Sequence, residues 1–188
     1  MPRNRTTLAL AASALLVFLR PAPAPAQGGK PDFSGTYGFV QKRSDNLPQA
    51  IAKAVGPDYT VGSKKSEQAR VWIRSWLEGI TSDPEKRILT IEHAATEFKS
   101  GTGDEVNIYY FGREATSSGP AAGKLKVTVD WKGDQLITHE RQTKGKGTIT
   151  AVYTLLPDAK TLLVAWRLEH ESLLEPLDVR LAFERTPR

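Results

Sequence analysis

The stretch KLKVTVDWKGDQLITHERQTKGKGTITAVYTLLPDAKTLLVAWRLEHESLLEPLDVRLAFER, residues 124–185, decides the fold. In 124–131 the apolar residues Leu125, Val127, Val129 and Trp131 alternate with Lys126, Thr128 and Asp130. That two-residue period marks a strand with one face buried. Lys132-Gly133-Asp134 follows as a turn, with glycine free to take positive φ. Residues 135–143 are more polar. Leu136, Thr138 and Glu140 share one face and Ile137, His139 and Arg141 the other, and the pattern does not choose between them. After Lys144-Gly145-Lys146-Gly147 the alternation resumes. Ile149, Ala151, Tyr153 and Leu155 form one face, then Leu162, Val164, Trp166 and Leu168 beyond the turn Pro157-Asp158-Ala159-Lys160, then Leu177, Val179, Leu181 and Phe183. β-Branched and aromatic residues dominate these faces. Five strands of similar length joined by short turns predict an up-and-down barrel or a sandwich. A barrel is favoured, because sequential hairpins need no crossover and closure removes both sheet edges.

Upstream, residues 1–26 read as a signal peptide. Arg3 and Arg5 precede the apolar run 8–19, and Ala24-Pro25-Ala26 is a small-residue cleavage pattern, so the mature chain is expected to start at Gln27. The run is too short to span a bilayer. The 188-residue chain has no cysteine, which excludes disulfides and a lipidated cysteine. Together these features predict a bacterial periplasmic or secreted protein without a membrane span. Loss of Arg3, Arg5 and Arg20 with the leader lowers the net charge from +5 to +2. The remaining Lys and Arg are interspersed with acids, which argues against a nucleic-acid partner. Residues 27–31 form a flexible lead, and 32–188 form one domain.

The first strand is expected over 32–40. Asp45 or Asn46 suits an N-cap, Pro48 the first helical turn, and Ile51, Ala54 and Val55 share a face before Gly56-Pro57. A second helix fits 64–80, with Ala69, Trp72, Ile73, Trp76, Leu77 and Ile80 on one stripe. Further strands are expected at 87–93, weakly at 95–99, and at 105–111, which carries Val106, Ile108 and Tyr110 on one face. Residues 117–123 read as a Ser/Gly/Ala loop.

Phe33-Ser34-Gly35-Thr36-Tyr37 is similar to the opening of lipocalin-like and fatty-acid-binding-protein-like barrels, the calycin group. There a Gly-x-aromatic element closes one end, and Tyr37 stands where tryptophan is usual. One strand, a helix pair, then strands only is also the order of elements in fatty-acid-binding proteins. The resemblance implies a mainly β protein: a single antiparallel up-and-down, calycin-like barrel of about eight to ten strands with an N-terminal helix pair after the first. In that family an Arg-x-Tyr on the final strand holds a carboxylate ligand. Here Phe183 and Leu181 occupy those positions and Arg180 has the opposite parity, so the motif is absent.

Catalytic signatures are missing. His93, His139 and His170 lie on separate strands without ligand spacing, and there is no phosphate loop or nucleophile elbow, so neither a metal, a cofactor nor an enzyme is expected. Glu140 reads as a surface residue, the alternative being an inward carboxylate with a raised pKa. The favoured function is a non-enzymatic, exported protein that binds a small apolar molecule inside the barrel. Trp72, Trp76, Tyr153, Trp166, Val179 and Leu181 are the expected lining. The alternative is an interaction or inhibitor module whose barrel is filled by side chains and which acts through loops and helices.

Overall fold

The computed structural model describes residues 29–55, 88–102, 105–119, 123–144, 146–171 and 173–187. The leader, Gly56-Pro57 and the helix expected over 64–80, with Trp72 and Trp76, lie outside the described residues.

Ten antiparallel strands form one sheet. They are β1 (Gly35–Phe39), β2 (Ile88–His93), β3 (Glu97–Thr102), β4 (Glu105–Tyr110), β5 (Ala115–Gly119), β6 (Gly123–Lys132), β7 (Gln135–Gln142), β8 (Thr148–Leu155), β9 (Thr161–Glu169) and β10 (Leu177–Arg185). The order β4-β3-β2-β1-β10-β9-β8-β7-β6-β5 is the up-and-down order, rolled so that the first strand pairs with the last. Each hairpin keeps the apolar positions of neighbouring strands on one face: Leu136 stands opposite Tyr153, Tyr153 opposite Val164, and Val164 opposite Leu181. These four residues are buried in a single core with most of the predicted meander face, and Trp131, Leu155 and Trp166 pack against it half-buried. A one-residue slip would turn the whole set outward, so burial specifies the register.

Short β1 covers only the end of β10. The chain then continues along β10 and satisfies its remaining backbone groups: Val40 N donates to Ala182 O (2.8 Å) and Asp45 N to Arg180 O (2.9 Å). In return Ala182 N donates to Ser44 Oγ (2.9 Å) and Arg180 N to Asp45 Oδ2 (2.7 Å). Side chains thus replace a missing strand and leave fewer orphaned backbone groups. Helix α1 (Leu47–Val55) follows, capped by Asn46, whose Oδ1 accepts from Gln49 N at 3.2 Å. Leu47 and Ala54 face the core, and Leu174 N donates to Ala54 O at 2.8 Å, fixing the helix end to the loop before β10.

One end of the barrel is shut by aromatic side chains. Phe33 packs on Trp131 (5.9 Å between ring centroids), His93 lies 5.5 Å from Trp131, and Phe111 stacks on it at 6.2 Å. Beside them Tyr37 is fully buried. A Cβ at Gly35 would come within 3.2 Å of the Tyr37 ring and of the Arg185 guanidinium, tighter than ordinary contact, so a side chain in front of that ring would press its neighbours aside.

No ladder joins β4 to β5. Along this seam the wall is held by the isolated bridge Phe111–Val129, by the Phe111–Trp131 stack, and by Tyr109 of β4 reaching Glu140 of β7.

One expectation is corrected here. Residues 117–119, expected in a loop, belong to β5: Ser117 pairs with Leu125 and Gly119 with Gly123 at the start of β6. Small residues form this strand because β6 offers an otherwise unpaired backbone edge. On β4 the face holding Val106 and Ile108 points outward, 56% and 39% exposed, while Tyr109 is the buried residue.

Candidate ligand site in the barrel interior

The polar strand β7 settles its own ambiguity once paired. Glu140 lies opposite Val127 of β6 and Ile149 of β8, both buried, so its face is the inner one. Leu136, Thr138 and Glu140 are inside, and His139 and Arg141 are exposed. The surface reading of Glu140 is therefore wrong; its side chain is 5% exposed. Parity alone could not reveal this, because Ile137 on the outer face is as apolar as Leu136 on the inner.

Around Glu140 the interior carries a small polar cluster. The Tyr109 hydroxyl donates to Glu140 Oε1 in a short hydrogen bond across the seam. Oε2 is buried and has no hydrogen-bond partner among the described residues. Ser100 Oγ and the Tyr153 hydroxyl share a hydrogen bond of 3.1 Å. In the sheet order β2, β1, β10 and β9 stand between β3, which carries Ser100, and β8, which carries Tyr153, so that bond crosses the lumen. Phe98 packs edge-on against Tyr153 (5.1 Å) and lies 6.0 Å from Tyr109. Thr138 interacts with both phenols.

Burial sets the electrostatics of this cluster. Desolvation raises the Glu140 carboxyl to about 7, against the opposing effect of the Tyr109 hydrogen bond. The Tyr153 phenol is pushed up to about 12 by burial, and Tyr109 is raised well above its ordinary value by burial and then by the neighbouring Glu140 charge. Both phenols therefore stay neutral donors while Glu140 titrates. Among the described residues the buried polar or charged side chains are Ser100, Thr138, Glu140 and Thr161; none is a base. The nearby cations face outward. Arg141 and Lys126 reach Glu114, and Arg167 pairs with Asp178 at 2.8 Å.

The residues expected to line the site divide into three sets. Tyr153, Val179 and Leu181 are buried on the inner face. Trp166 is half-buried, its ring 6.3 Å from that of Phe183. Trp72 and Trp76 fall outside the described residues. Leu181 does point inward and Arg180 is exposed, as their parity implies. The residues that sequence reasoning missed are Tyr109 and Ser100. Tyr109 is hidden in a strand whose outer face is more apolar than its inner one. Ser100 gives no signal of its own.

No protein-family model and no curated protein matches the chain. Solved structures do. Lipid binding protein 8 of Caenorhabditis elegans is 14% identical, with 82% of this chain and 95% of that chain covered and a TM-score of 0.50. The REP1-NXSQ fatty acid transporter is 15% identical, with coverages of 82% and 96% and a TM-score of 0.51. A secretory abundant heat soluble protein from Ramazzottius varieornatus is 9% identical, with coverages of 82% and 95% and a TM-score of 0.53. These likenesses are of fold, and they agree with the strand order traced above. The chain carries the ten-stranded antiparallel barrel of the fatty-acid-binding proteins and other calycin-like proteins.

Proposed function

We propose that this protein is a non-enzymatic binder of a small apolar molecule, held inside the barrel. The observation that carries the reading is Glu140 Oε2, buried in the largely apolar interior without a partner among the described residues. Buried polar atoms are overwhelmingly hydrogen-bonded, and a core that served only stability would gain from an apolar side chain here. An apolar pocket with a few convergent polar groups is the usual form of a small-molecule site. Tyr153, Val179 and Leu181 are buried on that inner face, with Trp166 half-buried beside them, which supports their role as lining. Trp72 and Trp76 are proposed, from the sequence pattern, to face the ligand from a helix over 64–80. Two of the similar structures are named as a lipid binding protein and a fatty acid transporter, which suits a lipophilic ligand. Export to a bacterial periplasm or medium, with cleavage after Ala26, belongs to the same proposal. No helix among the described residues is long and apolar enough to cross a membrane.

One observation favours the second reading, an interaction module with a filled barrel. Phe98, Tyr153 and Ser100 meet across the lumen and occupy part of it. Titration with an uncharged aromatic fluorophore separates the two. A binder quenches its tryptophans saturably at one site per chain, whereas a filled barrel gives no saturable signal.

A further inference from the structure

The Glu140 carboxyl group is held at one oxygen and left incomplete at the other. Tyr109 fixes Oε1, while Oε2 is buried and has no partner among the described residues. The groups facing it among the described residues are Tyr109 from β4, Thr138 beside it on β7, and Tyr153 from β8 with Ser100 of β3 behind. All are neutral hydroxyls. Lys126, Arg141 and Arg167 of the adjoining strands are engaged outside with Glu114, Glu169 and Asp178, and Lys124 and Lys132 are exposed. A buried carboxylate without a counter-charge is costly, and a group that supplies one is correspondingly favoured.

Different head groups meet this oxygen differently. A carboxylate ligand places like charge beside it. An ester or ketone brings acceptors only. An alcohol brings one donor. A protonated amine brings donors together with the missing positive charge, and charge-assisted hydrogen bonds are the stronger kind. We propose that the interior takes an apolar molecule bearing a protonated amine, whose N–H bonds to Glu140 Oε2. This rests on the interior-binding reading above and narrows it to a ligand class opposite in charge to a fatty acid.

A coupling to pH follows. Burial holds the Glu140 proton up to about pH 7, so forming the ion pair releases that proton. Amine affinity then rises with pH through 7 and falls again where the amine itself loses its charge. Tyr109 and Tyr153, the other titratable groups at the site, stay protonated throughout.

The test uses the full chain and a series of medium-length alkyl compounds of equal chain length: amine, alcohol and carboxylate, each displacing the uncharged fluorophore. At pH 8 the amine is expected to bind about tenfold tighter than the alcohol, and the carboxylate weakest. In Glu140→Gln, which keeps the shape and removes the charge, the amine's advantage falls to about twofold or less while alcohol affinity holds. Tyr109→Phe keeps the carboxylate but removes the donor that favours its ionised form, so the pH at which amine binding strengthens moves up. Wild-type titrations from pH 6 to 8 test the claim without any variant. An amine no tighter than the alcohol, a flat pH profile, or an advantage that survives Glu140→Gln overturns the amine assignment and leaves interior binding standing. No saturable binding of the fluorophore or any alkyl compound overturns both.

Discussion

Arg185 donates from Nη2 to the Tyr37 hydroxyl at 2.7 Å, and that hydroxyl donates in turn to the Phe33 carbonyl at 2.8 Å. The same guanidinium reaches the Asp32 carbonyl at 3.1 Å and lies 5.3 Å from the centroid of the Tyr37 ring. The last strand, the first strand and the N-terminal lead are thereby tied at one point. Tyr37→Phe removes the hydroxyl and leaves the guanidinium one acceptor short, so a loss of about 1–3 kcal/mol is expected. Tyr37→Ala also empties a ring site and should cost about 3–5 kcal/mol. Urea denaturation of both variants checks the order; equal, small losses would show that this end does not hold the barrel shut.

Strand parity makes its own prediction. Leu136 is fully buried on β7 and His139 is exposed on the opposite face. Leu136→Ala should cost about 2–5 kcal/mol, and His139→Ala should stay within about 0.5 kcal/mol. A reversal of the two would place Glu140 outside.

The turn before β9 holds a correctable strain. Ala159 takes φ 53°, a left-handed conformation that disfavours a Cβ, while Asp158 Oδ1 accepts from Lys160 N (2.9 Å) and Thr161 N (2.8 Å) to fix the turn. Ala159→Gly relieves the strain at some cost in chain entropy, so a net gain of up to about 1 kcal/mol is expected in the same denaturation experiment.

Much of this was legible in the sequence, for a physical reason. From β6 to β10 one face of nearly every strand is apolar and the turns carry their own signals, so pattern and pairing agree. Gly35 and Tyr37 could be singled out because Phe33-Ser34-Gly35-Thr36-Tyr37 resembles the opening of calycin-like barrels, and the close approach of Gly35 to the Tyr37 ring is its physical counterpart. β4 and β5 were harder. They flank the seam, where Val106 and Ile108 sit outside and small residues suffice for β5, so apolarity does not mark the inner face. Glu140 was ambiguous for a different reason: the two faces of β7 are balanced, and only the buried Val127 and Ile149 on either side decide which turns inward. The site's chemistry thus rests on register, which a single strand does not encode.

Processing is tested separately. Protein recovered from a bacterial periplasm should begin at Gln27, read by N-terminal sequencing or intact mass. Full-length protein starting at Met1 and confined to the cytoplasm would contradict export.

Stability should respond to pH through Glu140. Its folded carboxyl, raised from 4.5 to about 7, binds its proton more tightly than the unfolded chain does. Its contribution is therefore fully present below pH 4.5 and is lost as pH rises through 7. At 1.36 kcal/mol per unit the loss is about 3 kcal/mol. Denaturation midpoints of the wild type should fall across this window, and those of Glu140→Gln should fall less; parallel curves would assign the pH dependence elsewhere.

Carboxyl-carbon NMR of Glu140, followed through pH in the free protein and with a medium-chain alkyl amine, addresses the central claim most directly. In the free protein the resonance should titrate near 7, and the amine should pull the midpoint down by stabilising the carboxylate. A Glu140 signal that titrates near 4.5 would place the group in water, and a midpoint that the amine leaves unmoved would show that nothing binds at Oε2.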